Sequence, residues 1–374
     1  MVIGYDAKRA LCNFTGLGNY SRMIISEMAE AYPDITFHLY SSSAHPDFNS
    51  YFDALQNVKV ENRQYKSIKG ALWRSFGISN DLQRDGIDIF HGLSNEIPYR
   101  LPAKTLSVVT IHDMIAWRFP SYYHLFDVYN YRKKQQYACQ HADAIIAVSE
   151  QTKSDILHFI DVDADKIHVI YQSCHPQFRE PISPENAKKV KIKYGLPDKY
   201  IICISTIENR KNQITAVRAL KKIDDDISLV LVGRQTKYAD TVKKEIENLH
   251  LQNRVIFLDH ADFSDFPTFY SSAICSLYLS EFEGFGIPVL ESMCCSTPVI
   301  CSNTSSIPEV GGDAAIQLSP YDTDSIASYI NKIYTDKDFR ALLVQRSLHQ
   351  ALNFTPQKII SNIYDLYLHL MQYK

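Results

Sequence analysis

Ser280–Glu291 reads SEFEGFGIPVLE, and its spacing decides the fold. The run before it, Ala273–Leu279, is short and apolar, as expected of a buried strand. Pro288 falls at a first helical position, where its fixed φ suits the helix and its missing N–H costs nothing. The segment is therefore a strand–turn–helix. Glu283 sits in the turn and Glu291 about one turn into the helix, eight positions later. Both carboxylates can face a crevice at the strand's carboxyl end. The amides of Phe285, Gly286 and Ile287 should point the same way and favour an anion. A phosphate ester rich in hydroxyls suits such a turn.

Working outward, short β-rich runs alternate with helical patterns. Strands are expected at Val2–Asp6, Ile35–Tyr40, Asp88–His91, Leu106–His112, Ala144–Val148 and Lys166–Tyr171. A second set is expected at Tyr200–Thr206, Ser228–Gly233, Val255–Leu258, Ala273–Leu279, Pro298–Cys301 and Ala314–Leu318. Amphipathic stretches such as Tyr20–Ala31 and Tyr129–His141 lie between them. This alternation predicts an α/β protein with parallel sheets covered on both faces. His175–Pro197 holds Pro176, Pro181, Pro184 and Pro197 around a helical patch at Ala187–Tyr194, and reads as the break between two doubly wound domains. The expected domains are 1–175 and 176–354. A closing helix at 355–374, started by Thr355-Pro356, carries Ile359, Ile363, Leu366 and Leu370 as one stripe that can pack back onto the first domain.

Composition removes several classes. A formal net charge of −3 over 374 residues, with neither half basic, argues against a nucleic-acid partner. The 8 cysteines show no C-x-x-C spacing, and Cys203 and Cys275 lie in apolar runs. Reduced, buried thiols are expected, with neither a disulfide framework nor a zinc site. No apolar run reaches the length of a membrane span, and no signal peptide is expected at MVIGYDAKRA. A cytoplasmic location follows. One stretch, 63–76 (RQYKSIKGALWRSF), combines four cations with Trp73 and Phe76 and is the candidate for peripheral docking on the inner face of the membrane.

Five segments together resemble the retaining glycosyltransferases of family 4, with the GT-B fold. They are the E-x7-E element EGFGIPVLE, STIENRKN (Ser205–Asn212), IHD (Ile111–Asp113), ADAIIAVSE (Ala142–Glu150) and SNTSSIPEVGGDAA (Ser302–Ala315). The resemblance implies two Rossmann-like domains facing a central cleft, the second holding a nucleotide-sugar and the first most of the acceptor. It also implies roles: Glu291 on ribose hydroxyls, Glu283 on hydroxyls of the transferred sugar, Arg210 and Lys211 on the diphosphate, and His112 beside the donor sugar. Gly284, Phe285, Gly286 and Ile287 would line the phosphates. Gly16 and Gly18 would belong to a flexible loop approaching them. Many family members carry an arginine where this chain has Ser205 or Thr206, so Arg210 or a hydroxyl would have to supply that contact.

Each role has a physical basis. A carboxylate offers several lone-pair sites to a vicinal diol. Fixed cations suit a leaving group whose negative charge grows. Gly16-Leu17-Gly18 is not a dinucleotide fingerprint: its third position is Ser21, and no acid closes the second strand at Tyr40-Ser41-Ser42. The two glutamates belong to one strand–turn–helix, so they read as a donor clamp and not as a glycosidase acid–base pair.

The expected function is transfer of a hexose to a hydroxyl of a glycan or lipid-linked saccharide. The catalytic set is His112, Glu283 and Lys211. STIENRKN is most similar to members using GDP-mannose, with a UDP-sugar as the other donor. No cofactor beyond that co-substrate and no metal are expected. A sugar-nucleotide epimerase on the same scaffold and a silent sugar-nucleotide-binding protein are the alternatives.

Overall fold

The computed structural model describes residues 1–65 and 67–372. The chain divides into two compact units: residues 1–173 with the segment from Pro356 on, and Cys174–Thr355. Among the described residues the first unit has a seven-stranded, all-parallel sheet in the order β3-β2-β1-β4-β5-β6-β7. Its strands are β1 Val2–Asp6, β2 Thr36–Ser41, β3 Val58–Asn62, β4 Ile89–Gly92, β5 Leu106–Ile111, β6 Ala144–Ala147 and β7 Ile167–Val169. The second unit has a six-stranded sheet, β10-β9-β8-β11-β12-β13. These are β8 Tyr200–Ile204, β9 Ser228–Val232, β10 Val255–Leu258, β11 Ser276–Tyr278, β12 Val299–Ser302 and β13 Ile316–Leu318.

Why these runs became strands is visible in their burial. AIIA of β6 and YIICI of β8 are buried at every position, because helices cover both faces of a parallel sheet. The edge strands β3, β7, β10 and β13 are less buried, and β3, VKVEN, is the one the sequence reading passes over. As an edge strand it is partly exposed throughout, and edge positions favour charges that discourage further pairing. Only its register on β2, Phe37 against Val58 through Ser41 against Asn62, shows it as part of the sheet.

Each sheet reverses its strand order once, between β1 and β4 in the first unit and between β8 and β11 in the second. At such a point the loops leave to opposite sides and open a crevice at the strands' carboxyl ends, where ligands of open α/β sheets bind.

The helix Pro356–Gln372 belongs to the first unit. Ile359, Ile360, Ile363, Leu366 and Tyr367 are buried in that unit's core, and Leu370 packs against it. The Tyr367 hydroxyl lies 2.6 Å from His91 Nδ1. His91 Nε2 meets Thr110 Oγ1 at 2.8 Å, so this buried polar group is satisfied at both ends.

Gly16 and Gly18 are not in a loop. They occupy the first turn of the helix Gly16–Ala31, which begins four residues before the expected start at Tyr20. The reason for glycine at 18 is steric: a Cβ there would lie 1.9 Å from the Asn13 carbonyl oxygen. Arg22 fastens the preceding segment to this helix by donating from Nη1 to the carbonyls of Ala10 (2.7 Å) and Asn13 (2.9 Å).

The docking stretch 63–76 also differs from its reading. Lys66 lies outside the described residues. Trp73 is buried with its indole N–H on Asp81 Oδ2 at 2.9 Å, and Arg74 turns inward to Asp6 and Glu96. What faces outward is an apolar stripe at i, i+4 and i+8: Ile68, Leu72 and Phe76, 74, 56 and 51% exposed.

Candidate active site

At the second unit's switch point, β8 leads into the loop Ser205–Asn212. A short 3-10 turn at Asn209–Lys211 ends on Asn212 in the left-handed region (φ 54°). Asn212 is pinned there by its Nδ2 donating to the Pro320 carbonyl at 2.7 Å. That reversal turns Arg210 and Lys211 back towards the carboxyl end of β11.

There β11 gives way to the turn around Glu283 and then to the helix Ile287–Cys294. Gly286 has φ 118°, a conformation only glycine adopts readily. Pro288 is the second helical residue, one later than expected, with Ile287 first. Phe285 sends its ring inward against Phe354, centroids 5.7 Å apart, so this residue's part in any ligand contact falls to its backbone.

Glu283 and Glu291 are both buried, 9 and 8% exposed, yet their surroundings are opposite. Glu283 Oε1 accepts from Lys211 Nζ at 2.5 Å, from Arg210 Nη1 at 2.7 Å, and from the Ser280 hydroxyl. Burial works against its charge, but Lys211 and Arg210 outweigh it and hold the carboxyl down at about 2. Arg210 is fixed in turn by Glu208 (2.8 Å) and the Phe282 carbonyl (2.5 Å). Lys211 also donates to the Tyr278 hydroxyl at 3.0 Å. Among the described residues Glu291 receives one hydrogen bond, from the Tyr270 hydroxyl at 3.1 Å, and no cation pairs with it. Burial pushes its carboxyl up to about 7, with Tyr270 pulling slightly the other way.

A third loop, in the segment SNTSSIPEVGGDAA to which the sequence reading gave no role, holds the turn in place. Ser305, itself at φ 54°, accepts the Glu283 amide at 3.0 Å. The Ser306 hydroxyl donates towards the carbonyls of Glu283 (3.0 Å) and Phe285 (2.8 Å). The run of hydroxyls in SNTSS after an apolar strand was the available signal.

In the first unit, His112 follows β5 and is buried. Its Nε2–H donates to the Leu93 carbonyl at 2.8 Å, and its Nδ1 accepts from Gln172 Nε2 at 2.9 Å. Burial lowers it to about 4, so the ring is neutral at pH 7 with both nitrogens engaged. In this geometry it anchors the Leu93 segment. Asp113 accepts from the Ile115 amide at 3.0 Å, which starts the next helical turn.

The first unit's own switch point carries charges that no motif announced. Asp6 ends β1 and Glu96 follows β4. Arg74 bridges them, 2.6 Å from Glu96 Oε1, and Lys134 takes Glu96 Oε2 at 2.5 Å. Lys8 and Arg9 follow directly, and Arg9 Nε reaches Ser94 Oγ at 3.4 Å.

With this geometry in hand, comparison with known proteins is direct. Residues 185–349 match the model of the glycosyl transferases group 1, and residues 14–177 match that of glycosyltransferase family 4. O-antigen chain mannosyltransferase B of Escherichia coli is 28% identical over 375 residues, covering 94% of this chain and 96% of that one. O-antigen chain mannosyltransferase RfbU of Salmonella typhimurium is 28% identical over 236 residues, 63% of each chain. Among solved structures, HepE of Anabaena, in complex with UDP and glucose, superposes with a TM-score of 0.75 at 18% identity, covering 99% of this chain and 100% of that one. WaaG, a glycosyltransferase involved in lipopolysaccharide biosynthesis, gives 0.73 at 15% identity, covering 98 and 99%. The chain is a glycosyltransferase of family 4, with the GT-B fold.

Proposed function

We propose that the chain transfers mannose from GDP-mannose to a hydroxyl of a glycan or lipid-linked saccharide, with retention of anomeric configuration and without a metal ion. One observation carries this reading: Lys211 and Arg210 converge on Glu283 while Glu291, on the same strand–turn–helix, keeps unused lone pairs. The names of the O-antigen mannosyltransferases among its relatives support the sugar.

The chemistry follows from the groups present. Hydroxyls of the donor ribose donate to Glu291, and hydroxyls of the transferred sugar donate to Glu283. Lys211 and Arg210, oriented by Glu283, face the diphosphate and offset the charge that grows as the glycosidic bond breaks. The helix N-terminus at Gly286 and Ile287 adds its partial positive charge. No side chain of the site stands as a nucleophile, so a donor phosphate oxygen takes the acceptor proton on the face the leaving group vacates. The first unit's charged crevice at Asp6, Arg74, Glu96 and Lys134 takes part of the acceptor.

Incubation of the purified chain with GDP-mannose and a mannose-ended oligosaccharide tests this. The expected result is GDP released in step with an extended product whose new linkage has the donor's anomeric configuration by NMR, unchanged by EDTA. Inversion at the anomeric carbon, or turnover without acceptor giving an epimerised nucleotide-sugar, contradicts it. The outward stripe Ile68, Leu72 and Phe76 is proposed to rest on the membrane that carries a lipid-linked acceptor.

A further inference from the structure

Cys174, the first residue of the second unit, and Cys294, in the last turn of the helix Ile287–Cys294, bring their Sγ atoms to 3.5 Å. They are 120 residues apart, so no local motif announces the pair. Cys174 is 1% exposed, whereas Cys294 is half-buried beside a groove lined by Arg179, Leu348, His349 and Leu352. One sulfur is thus reachable from solvent and the other stands behind it. The Cys174 thiol donates to Cys294, which lowers the Cys294 thiol against the opposing effect of burial, and Arg179 adds to the lowering. Burial pushes Cys139, Cys203, Cys275, Cys295 and Cys301 the other way. A lowered, reachable thiol with a second thiol at its back is the arrangement that reacts with peroxides and then resolves.

We propose that Cys174 and Cys294 are a peroxide-reactive pair that closes into a disulfide, tying the start of the second unit to the helix that carries Glu291. The Cys294 thiolate attacks a peroxide oxygen: the S–O bond forms, the O–O bond breaks, and the departing hydroxide takes a proton to become water. The Cys174 thiolate then attacks the Cys294 sulfur, the S–O bond breaks, and a second water leaves. Two thiols are oxidised by two electrons and one hydrogen peroxide is reduced to two waters. Closing the bond requires the sulfurs to approach to about 2.05 Å, so the helix end and Cys174 draw together. Glu291 lies one turn back on that helix, and this displacement weakens its hold on a ribose. The bond stands apart from the donor-site reading; its effect on nucleotide rests on that reading.

The test treats the reduced full chain with hydrogen peroxide, blocks remaining thiols with N-ethylmaleimide, and maps the peptides by mass spectrometry. A Cys174–Cys294 linked peptide is expected, reversed by dithiothreitol, absent in Cys174→Ser and Cys294→Ser, and retained in Cys295→Ser. Cys294→Ser, with its partly exposed side chain, serves if Cys174→Ser does not fold. Oxidation of Cys294 to sulfinic acid with no linkage, or linkage of Cys294 to Cys295, overturns the pair. GDP titrated into both forms should bind about tenfold more weakly to the disulfide form. Equal affinity with the linkage present overturns the coupling. GDP bound by neither form overturns the donor-site reading and leaves the linkage result standing.

Discussion

The two sheets reverse at equivalent places, β1/β4 and β8/β11, yet the crevices are charged in different ways. In the first unit the acids Asp6 and Glu96 are both neutralised, by Arg74 between them and Lys134 on Glu96, and Glu96 is held down at about 2 despite its burial. In the second unit one acid, Glu283, collects both cations, and the other, Glu291, has none among the described residues. Topology thus opens both crevices in the same way, and the residual charge distinguishes them. The second crevice suits a ligand with phosphates for Lys211 and Arg210 and a diol for Glu291. The first has its quartet internally balanced, with Lys8 and Arg9 beside it.

The largest expected effect comes from removing the cation at the second crevice. Lys211→Ala should lower kcat by about 10²–10³, some 2.7–4 kcal/mol, while the same change at Lys134 should act mainly on the acceptor KM. Steady-state kinetics of both variants break the comparison if their effects are alike. Next, Arg74→Ala removes the bridge between the half-buried acids Asp6 and Glu96 and should cost about 1–3 kcal/mol of stability, read by urea unfolding. A loss below about 1 kcal/mol would mean that the first crevice is solvated and not the balanced site described.

The pH dependence separates the two glutamates of the second unit. The Glu291 carboxyl is raised from 4.5 to about 7, so the folded state binds its proton more tightly than the unfolded chain does. Its contribution to stability is complete below about pH 4.5 and is lost as pH rises through 7, on the order of 3 kcal/mol. Glu283 runs the opposite way: lowered to about 2, it stabilises above about pH 4.5 and loses that contribution as pH falls towards 2. Thermal unfolding from pH 4 to 8 should therefore show a decline between about pH 4.5 and 7 that Glu291→Gln removes. A nucleotide accepted by ionised Glu291 should bind more tightly as pH rises through 7. The smallest effect belongs to the outward stripe: Ile68→Ser with Phe76→Ser should reduce sedimentation with anionic vesicles severalfold without changing stability, and unchanged sedimentation removes the membrane surface.

Much of this was legible because buried parallel strands read as unbroken apolar runs, and because the groups of the second crevice lie in two short segments, Arg210-Lys211 and Glu283–Glu291. The first crevice was not. Its four charges come from positions 6, 74, 96 and 134, joined only by folding, and Arg74 read as part of a basic surface stretch. Strand β3 was missed because an edge strand carries polar residues. Gly18 suggested a mobile loop, when the reason for glycine is the Asn13 carbonyl against it. Nor does the sequence show what holds His112 at its strand end, since Leu93 and Gln172, which meet its two nitrogens, lie 19 and 60 residues away.

The most direct test of the donor crevice is calorimetric titration of GDP-mannose, GDP and UDP-glucose into wild type, Glu291→Ala and Lys211→Ala. The account predicts binding to wild type with GDP-mannose preferred, and a loss of about 10-fold or more in each variant (roughly 1.4 kcal/mol). Equal affinity in all three proteins, or no nucleotide bound by wild type, would contradict it.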